Sequence, residues 1–299
     1  MGASINVSAS PAPRERKGPD PQAREGEGGA GGKTLTRLAS FAALSRGAGE
    51  GLARLLARDR LVIIAGLATL TAAGWAYLLW LVYGGADMAL MGMPLDERWT
   101  AVEVSFAFVM WTVMMVAMML PSAAPVVLLF AALERRSGRL GRTAAFVAGY
   151  LVLWSAFSAV ATALQWALQL LAVTNAAGPA LGLFGAALVG AAGLYQLTPL
   201  KRACLAYCRS PVDAIAGHWR PGRFGAFQMG ASHGLYCLGC CWLLMGLLFV
   251  SGVMNLLWVA LLALLVLAEK LMPAGARLAR WSGVALLGLA AGLVLASQI

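Results

Sequence analysis

Seven long apolar blocks constrain this chain more than any other feature of its sequence. A helix needs about 20 mostly apolar residues to cross the hydrocarbon layer of a membrane, and several blocks reach that length. Charged residues make up 12% of the chain, against roughly 25% in soluble domains. Because a membrane span must satisfy its backbone hydrogen bonds internally, the blocks predict an all-α, polytopic transmembrane helix bundle of about seven helices.

The predicted bundle occupies residues 59–299, and residues 1–58 precede it. This first segment is rich in glycine, proline and scattered charges, which predicts a disordered, basic cytosolic tail. The seven predicted spans lie at about 61–83, 101–120 with an extension to 133, 143–171, 180–197, 225–250, 256–272 and 281–297.

The basic residues predict the orientation of the bundle. Of the 23 lysines and arginines, 22 lie in residues 1–60 or in the alternate loops 134–142, 201–223 and 270–280. The other loops contain only Arg98. Under the positive-inside rule, the N-terminus is cytoplasmic and the protein is a multi-pass protein of a bacterial inner membrane. The net charge of +10 then favours anionic membrane lipid as a partner, and no nucleic-acid-binding motif accompanies it.

Four side chains that ligate soft metals lie within nine residues of the fifth predicted span: His233, Cys237, Cys240 and Cys241. Helical spacing places all four within an arc of about 100°, and glycines at 230, 234 and 239 leave room for a neighbouring helix. The plain alternative is that free cysteines act as small apolar residues beside a satisfied core histidine. A second alternative is a redox pair formed by Cys237 and Cys240.

Methionines are dense in the second predicted span, where five occur in ten residues. Met114 and Met118 extend one row, and Met115 and Met119 form a parallel row. Thioether sulfur suits Cu(I), although a methionine stripe also packs well in any apolar core. Two prolines follow at positions 121 and 125, and we expect them to kink or break the helix.

Three further residues lie at the predicted cytoplasmic side. Cys204 and Cys208 are four residues apart and share a face if a helix continues there; they either receive or release a metal, or are unremarkable cysteines. Lys270 ends the sixth predicted span, where we expect it to anchor the helix end.

Four separated motifs resemble a bacterial family of predicted metal-binding integral membrane proteins whose function is uncharacterised. They occur in order within residues 102–271 and read MWTVMMVAMMLPSAAP, YQLTPLKRACLAYCRSP, HGLYCLGCCWLLMG and GVMNLLWVALLALLVLAEK. The resemblance implies a multi-span bundle with a metal site. The residues to which it points are Met114, Met115, Met118, Met119, Cys204, Cys208, His233, Cys237, Cys240 and Cys241.

The leading functional prediction is an integral membrane protein that binds Cu(I) for transport or for delivery to membrane metalloenzymes. A metallochaperone or a membrane metalloenzyme is then an expected partner. Sulfur-rich ligands with few carboxylates favour Cu(I), and Zn(II) is the alternative because it accepts three cysteines and a histidine. The rival functions are a membrane thiol–disulfide oxidoreductase and a non-catalytic scaffold subunit. An enzymatic activity is not the expectation.

Overall fold

The computed structural model describes residues 60–84, 99–134, 140–171, 183–216 and 219–296, all within the unit Leu56–Ile299. The predicted tail, residues 1–58, lies outside the described residues. The described part of the chain is helical and contains no strand, which confirms the all-α prediction. Its helices are α1 Arg60–Tyr83, α2 Ala101–Glu134, α3 Leu140–Leu170, α4 Leu183–Leu197, α5 Pro199–Arg209, α6 Pro211–Ala216, α7 Gly222–Gly246, α8 Leu248–Ser251, α9 Leu256–Leu271 and α10 Gly275–Ala296.

Within the described residues, five helical segments are long and apolar enough to cross a membrane. They are α1, α2, α3, the continuous segment Gly222–Ser251, and α10. A sixth span results if α4 and α5 are counted together, although a 64° bend separates them. Helix α9 has 16 residues and extends about 24 Å at 1.5 Å per residue. The count of about seven spans therefore stays a prediction, and α9 is the helix on which it depends.

Helix α2 is continuous from Ala101 to Glu134, through both Pro121 and Pro125. Of the two expected outcomes, a kink or a break, the continuous helix excludes the break. The prolines lack the N–H groups that would bond to the carbonyl oxygens of Ala117 and Pro121. Prolines are nevertheless tolerated inside apolar helices that pack against other helices.

Helix α4 ends at Leu197, as predicted for the fourth span, but a new helix begins at once. The Thr198 side chain accepts a hydrogen bond from the main-chain nitrogen of Lys201, and proline occupies the first turn of α5. Proline is well suited to this position because its missing N–H has no helical partner there. One face of α5 is buried and carries Lys201, Cys204, Leu205 and Cys208. The two cysteines thus share a face, as predicted.

Glycines allow α7 to pack closely against α3. A Cβ atom added at Gly230 would lie 1.8 Å from the carbonyl oxygen of Phe146, and one added at Gly149 would lie 2.0 Å from that of Phe227. Helices α4 and α10 approach each other in the same way at Gly193 and Gly283. Small residues that let two backbones meet are typical of helix pairs in apolar surroundings. This packing fixes which face of α7 points into the interior.

Candidate metal site

The interior face of α7 carries three thiols. Cys237, Cys240 and Cys241 are each 1% exposed, and all five cysteines of the chain are free thiols. The sulfur atoms of Cys240 and Cys241 both donate hydrogen bonds to the main-chain carbonyl of Cys237, each at 3.0 Å. The predicted cysteine stripe therefore exists as one buried group.

Helix α5 adds its cysteines to the same region. The thiol of Cys208 lies close enough to that of Cys240 to interact with it electrostatically. The sulfur of Cys204 lies against Gly239, where an added Cβ atom would be 3.0 Å away. The sequence suggested two separate groups of cysteines. The structure instead joins them, and Gly239 provides the space for this contact.

Helix α2 contributes a thioether sulfur through Met119. The sulfur of Cys241 lies 3.8 Å from the sulfur of Met119. Met114, Met115 and Met118 are equally buried, but in the described residues no thiol forms such a contact with any of them. Met118 instead lines a cavity of about 350 Å³ beside α1 and α9. The predicted methionine stripe thus divides between the site and the general core.

His233 lies one helical turn before Cys237 and is 3% exposed. Its ring packs among the rings of Phe146, Tyr150 and Tyr207, with centroid distances of 6.3, 5.8 and 6.5 Å. Its Nδ1 atom is buried and has no hydrogen-bond partner among the described residues. Buried polar atoms are nearly always paired, so this nitrogen is available to coordinate a metal ion.

Lys270 does not anchor a helix end, which corrects the sequence-based expectation. The side chain is 6% exposed, and its Nζ atom donates to the sulfur of Cys237 at 2.8 Å and to Ser122 Oγ at 3.1 Å. Helix α9 packs against α2, which directs its last turn into the interior. A lysine at the end of a predicted span gives no sequence signal for such a contact.

The cysteine group has a second polar neighbour that the sequence did not indicate. The hydroxyl group of Tyr150, on α3, lies 3.1 Å from the sulfur of Cys237 and 3.0 Å from the carbonyl oxygen of Met119. Tyr150 is buried. The cysteine sulfur that contacts Lys270 is therefore also held by α3.

A buried ion pair ties α5 to α9 next to the thiols. Lys201 Nζ lies 2.7 Å from Glu269 Oε2, and both side chains are 1% exposed. Gln196 donates to the other carboxylate oxygen of Glu269 at 2.8 Å. Because Lys201 shares the buried face of α5 with Cys208, this pair positions that thiol.

The donors form a soft set, but they are not arranged as a finished coordination sphere. In the part of the chain that the structure describes, no group of three or more His, Cys, Asp or Glu side chains could hold a metal ion as they stand. The thiols of Cys240 and Cys241 point instead to a backbone carbonyl of their own helix. Their sulfur atoms can leave this position by rotation about a single side-chain bond, since staggered rotamers are the available states.

Fold and site together define a helical protein that buries sulfur donors from three helices next to an unpaired imidazole nitrogen. A family model described as copper chaperone, PpoB2, matches residues 108–294, which is more than half of the chain. The chain therefore belongs to this copper chaperone family. The match includes all ten residues predicted as ligands. No curated protein matches the chain, and no solved structure matches it.

Proposed function

We propose that this protein is embedded in a membrane, binds Cu(I) through its buried thiols, and serves to transport the ion or to deliver it to membrane metalloenzymes. One observation carries the proposal. Cys204 of α5 lies against Gly239, Cys208 lies near Cys240, and Cys241 contacts Met119, so sulfur atoms of α5, α7 and α2 meet in one buried region. Membership of the copper chaperone family agrees with it.

The donor chemistry favours Cu(I) over harder ions. Thiolate and thioether sulfur select Cu(I), and the two carboxylates buried in the described residues, Glu134 and Glu269, are each held in an ion pair. Each thiol that becomes a ligand loses its proton on binding. Zn(II) requires a tetrahedral set such as three cysteines and a histidine, which makes it the alternative ion.

The surface of the helices supports a membrane location. Large apolar side chains are exposed along the outer faces of the bundle, for example Leu164, Leu264 and Trp281. Contiguous exposed apolar surface of this kind is rare on soluble monomers. In the proposed membrane, these side chains contact lipid acyl chains.

Contacts between the ends of helices support the predicted orientation. Arg142 donates to the carbonyl oxygens of Arg220 and Gly222, and Arg209 donates to that of Pro273 at 2.9 Å. These contacts join the three loop regions that were predicted to be cytoplasmic. At the opposite end, Trp99 donates to Gln169 at 2.7 Å. Protein fusions test this: green fluorescent protein at position 137 should fluoresce, and alkaline phosphatase at position 175 should be active.

The copper proposal is tested by anaerobic titration of the detergent-purified protein with Cu(I) against a coloured Cu(I) chelator. We expect wild type to compete for Cu(I), and the double variant C237S/C240S to lose this binding. C208S should weaken binding more than the matched variant C204S, because Cys240 is the strongest neighbour of the Cys208 thiol, whereas Cys204 lies against Gly239. Failure of wild type to compete, or unchanged binding by C237S/C240S, would overturn the proposal.

Two outcomes of the same work would support the rival functions. A copper-free protein whose thiol count changes with added quinone or disulfide would indicate a thiol–disulfide oxidoreductase acting through Cys237 and Cys240. A protein without either property would indicate a scaffold subunit in which the thiols only pack. Either result would contradict the proposed function, because that function requires Cu(I) binding.

A further inference from the structure

Lys270 brings a positive charge into the interior beside the thiols. Its Nζ atom lies 2.8 Å from the sulfur of Cys237 and 3.1 Å from Ser122 Oγ. A buried ammonium group is costly unless a counter-charge and hydrogen bonds compensate it. Such a residue inside an apolar helix bundle is by default a functional candidate.

The nearby carboxylates do not supply this counter-charge. Glu269, the neighbour of Lys270 in sequence, is paired with Lys201 at 2.7 Å. Glu134 is paired with Arg142 at 2.8 Å. In the described residues, no carboxylate forms an ion pair with Lys270. The groups in contact with its ammonium are a sulfur and a hydroxyl oxygen.

We infer that Lys270 is the counter-cation of the copper site, which rests on the proposed function. With Cys237 and Cys240 bound as thiolates, the two ligands carry two negative charges, and the Cu(I) ion carries one positive charge. The complex therefore has a net charge of −1, and the ammonium group of Lys270 brings the total to zero. In a low-dielectric interior, a neutral assembly avoids the large cost of burying net charge.

Ser122 allows the ammonium group to stay in place when a metal takes its contact on Cys237. The Ser122 hydroxyl donates to the carbonyl oxygen of Met119, so its lone pairs face Lys270 as acceptors. Met119 also contacts Cys241. Lys270 is thus a positioning residue that acts through charge, next to the metal but not bound to it.

The experiment compares Cu(I) affinity and copper X-ray absorption spectra of wild type, K270L and K270R in detergent. K270L removes the charge and adds no atom that binds copper, whereas K270R preserves the charge. We expect K270L to bind Cu(I) about tenfold to a hundredfold more weakly, as for loss of a charge-assisted hydrogen bond. K270R should recover most of the affinity. The K270L spectrum should show fewer sulfur ligands than the K270R spectrum.

Each outcome decides the inference. Folded K270L with wild-type affinity overturns it, and so does K270R that binds as weakly as K270L. If K270L does not fold, S122A replaces it: weaker Cu(I) binding by a few-fold supports the inference, and unchanged binding overturns it. Wild type that does not bind Cu(I) overturns the proposed function together with the inference. Wild type that binds, with K270L equal to it, overturns the inference alone.

Discussion

The hydroxyl group of Tyr150 lies 3.1 Å from the sulfur of Cys237 and at the same time donates a hydrogen bond to the carbonyl of Met119. These three residues belong to α3, α7 and α2. One side-chain oxygen therefore connects the helix that carries most of the thiols to the helix that carries the thioether. We infer that Tyr150 sets the distance between the sulfur atoms of Cys237 and Met119.

The substitution Tyr150→Phe should weaken both the fold and the copper site while the ring remains in place. We expect a loss of about 1 kcal/mol in stability, the usual value of one hydrogen bond. Copper affinity should fall by a few-fold. Thermal unfolding and chelator competition measure the two effects, and Tyr83→Phe is the control because Tyr83 is 77% exposed. Equal behaviour of the two variants would contradict this role.

The buried pair of Lys201 and Glu269 should contribute strongly to stability when one partner is removed. Lys201→Met leaves an uncompensated carboxylate in the interior, at a cost of about 3–5 kcal/mol. The double variant K201M/E269Q should recover much of this loss, because neither position then holds an unpaired charge. Chemical unfolding in detergent measures all three proteins. A single variant as stable as wild type would show that the pair is not buried.

Gly230 should not tolerate a side chain. In Gly230→Ala the new methyl group would lie 1.8 Å from the Phe146 carbonyl oxygen, so α3 and α7 must separate. Overpacking of this kind costs about 1–3 kcal/mol or more. The control is Gly292→Ala, since an added Cβ there meets nothing within 4 Å. Thermal unfolding should show a loss for the first variant and none for the second, and the reverse order would refute the packing.

Met119 should differ from Met118 in copper binding, although they are adjacent and equally buried. The sulfur of Met119 contacts Cys241, whereas Met118 lines a cavity near α9. Leucine conserves the volume of methionine and removes its sulfur, so each variant should fold. Met119→Leu should lower Cu(I) affinity by several-fold and Met118→Leu should not. If the Met118 variant showed the larger loss, the assignment of the site to this face of α2 would be wrong.

The features that follow from local spacing could be predicted from the sequence. Helical periodicity placed Cys237, Cys240 and Cys241 on one face, and the glycines beside them indicated close approach of another helix. Both are confirmed, since α3 packs at Gly230 and Cys204 lies against Gly239. A helix fixes these relationships within a few residues of chain. They do not depend on how the rest of the bundle is arranged.

The contacts across the bundle could not be predicted. Lys270 reaches Cys237 across 33 positions, and Tyr150 reaches it across 87. Such contacts depend on which helices become neighbours, and apolar helices without a strong polar face give little information about that. The direction of α5 after the bend at Thr198 could not be predicted either. The bend places α5 against α7, so that Cys208 lies near Cys240.

The proposed Cu(I) site is tested most directly by copper X-ray absorption on the anaerobically purified, Cu(I)-loaded wild-type protein. Bound copper is measured on the same sample. We expect one Cu(I) ion per chain with sulfur as the main ligand, and loss of the copper–sulfur signal in C237S/C240S. Copper surrounded by nitrogen or oxygen ligands, or a sulfur signal that persists without Cys237 and Cys240, would contradict the proposed site.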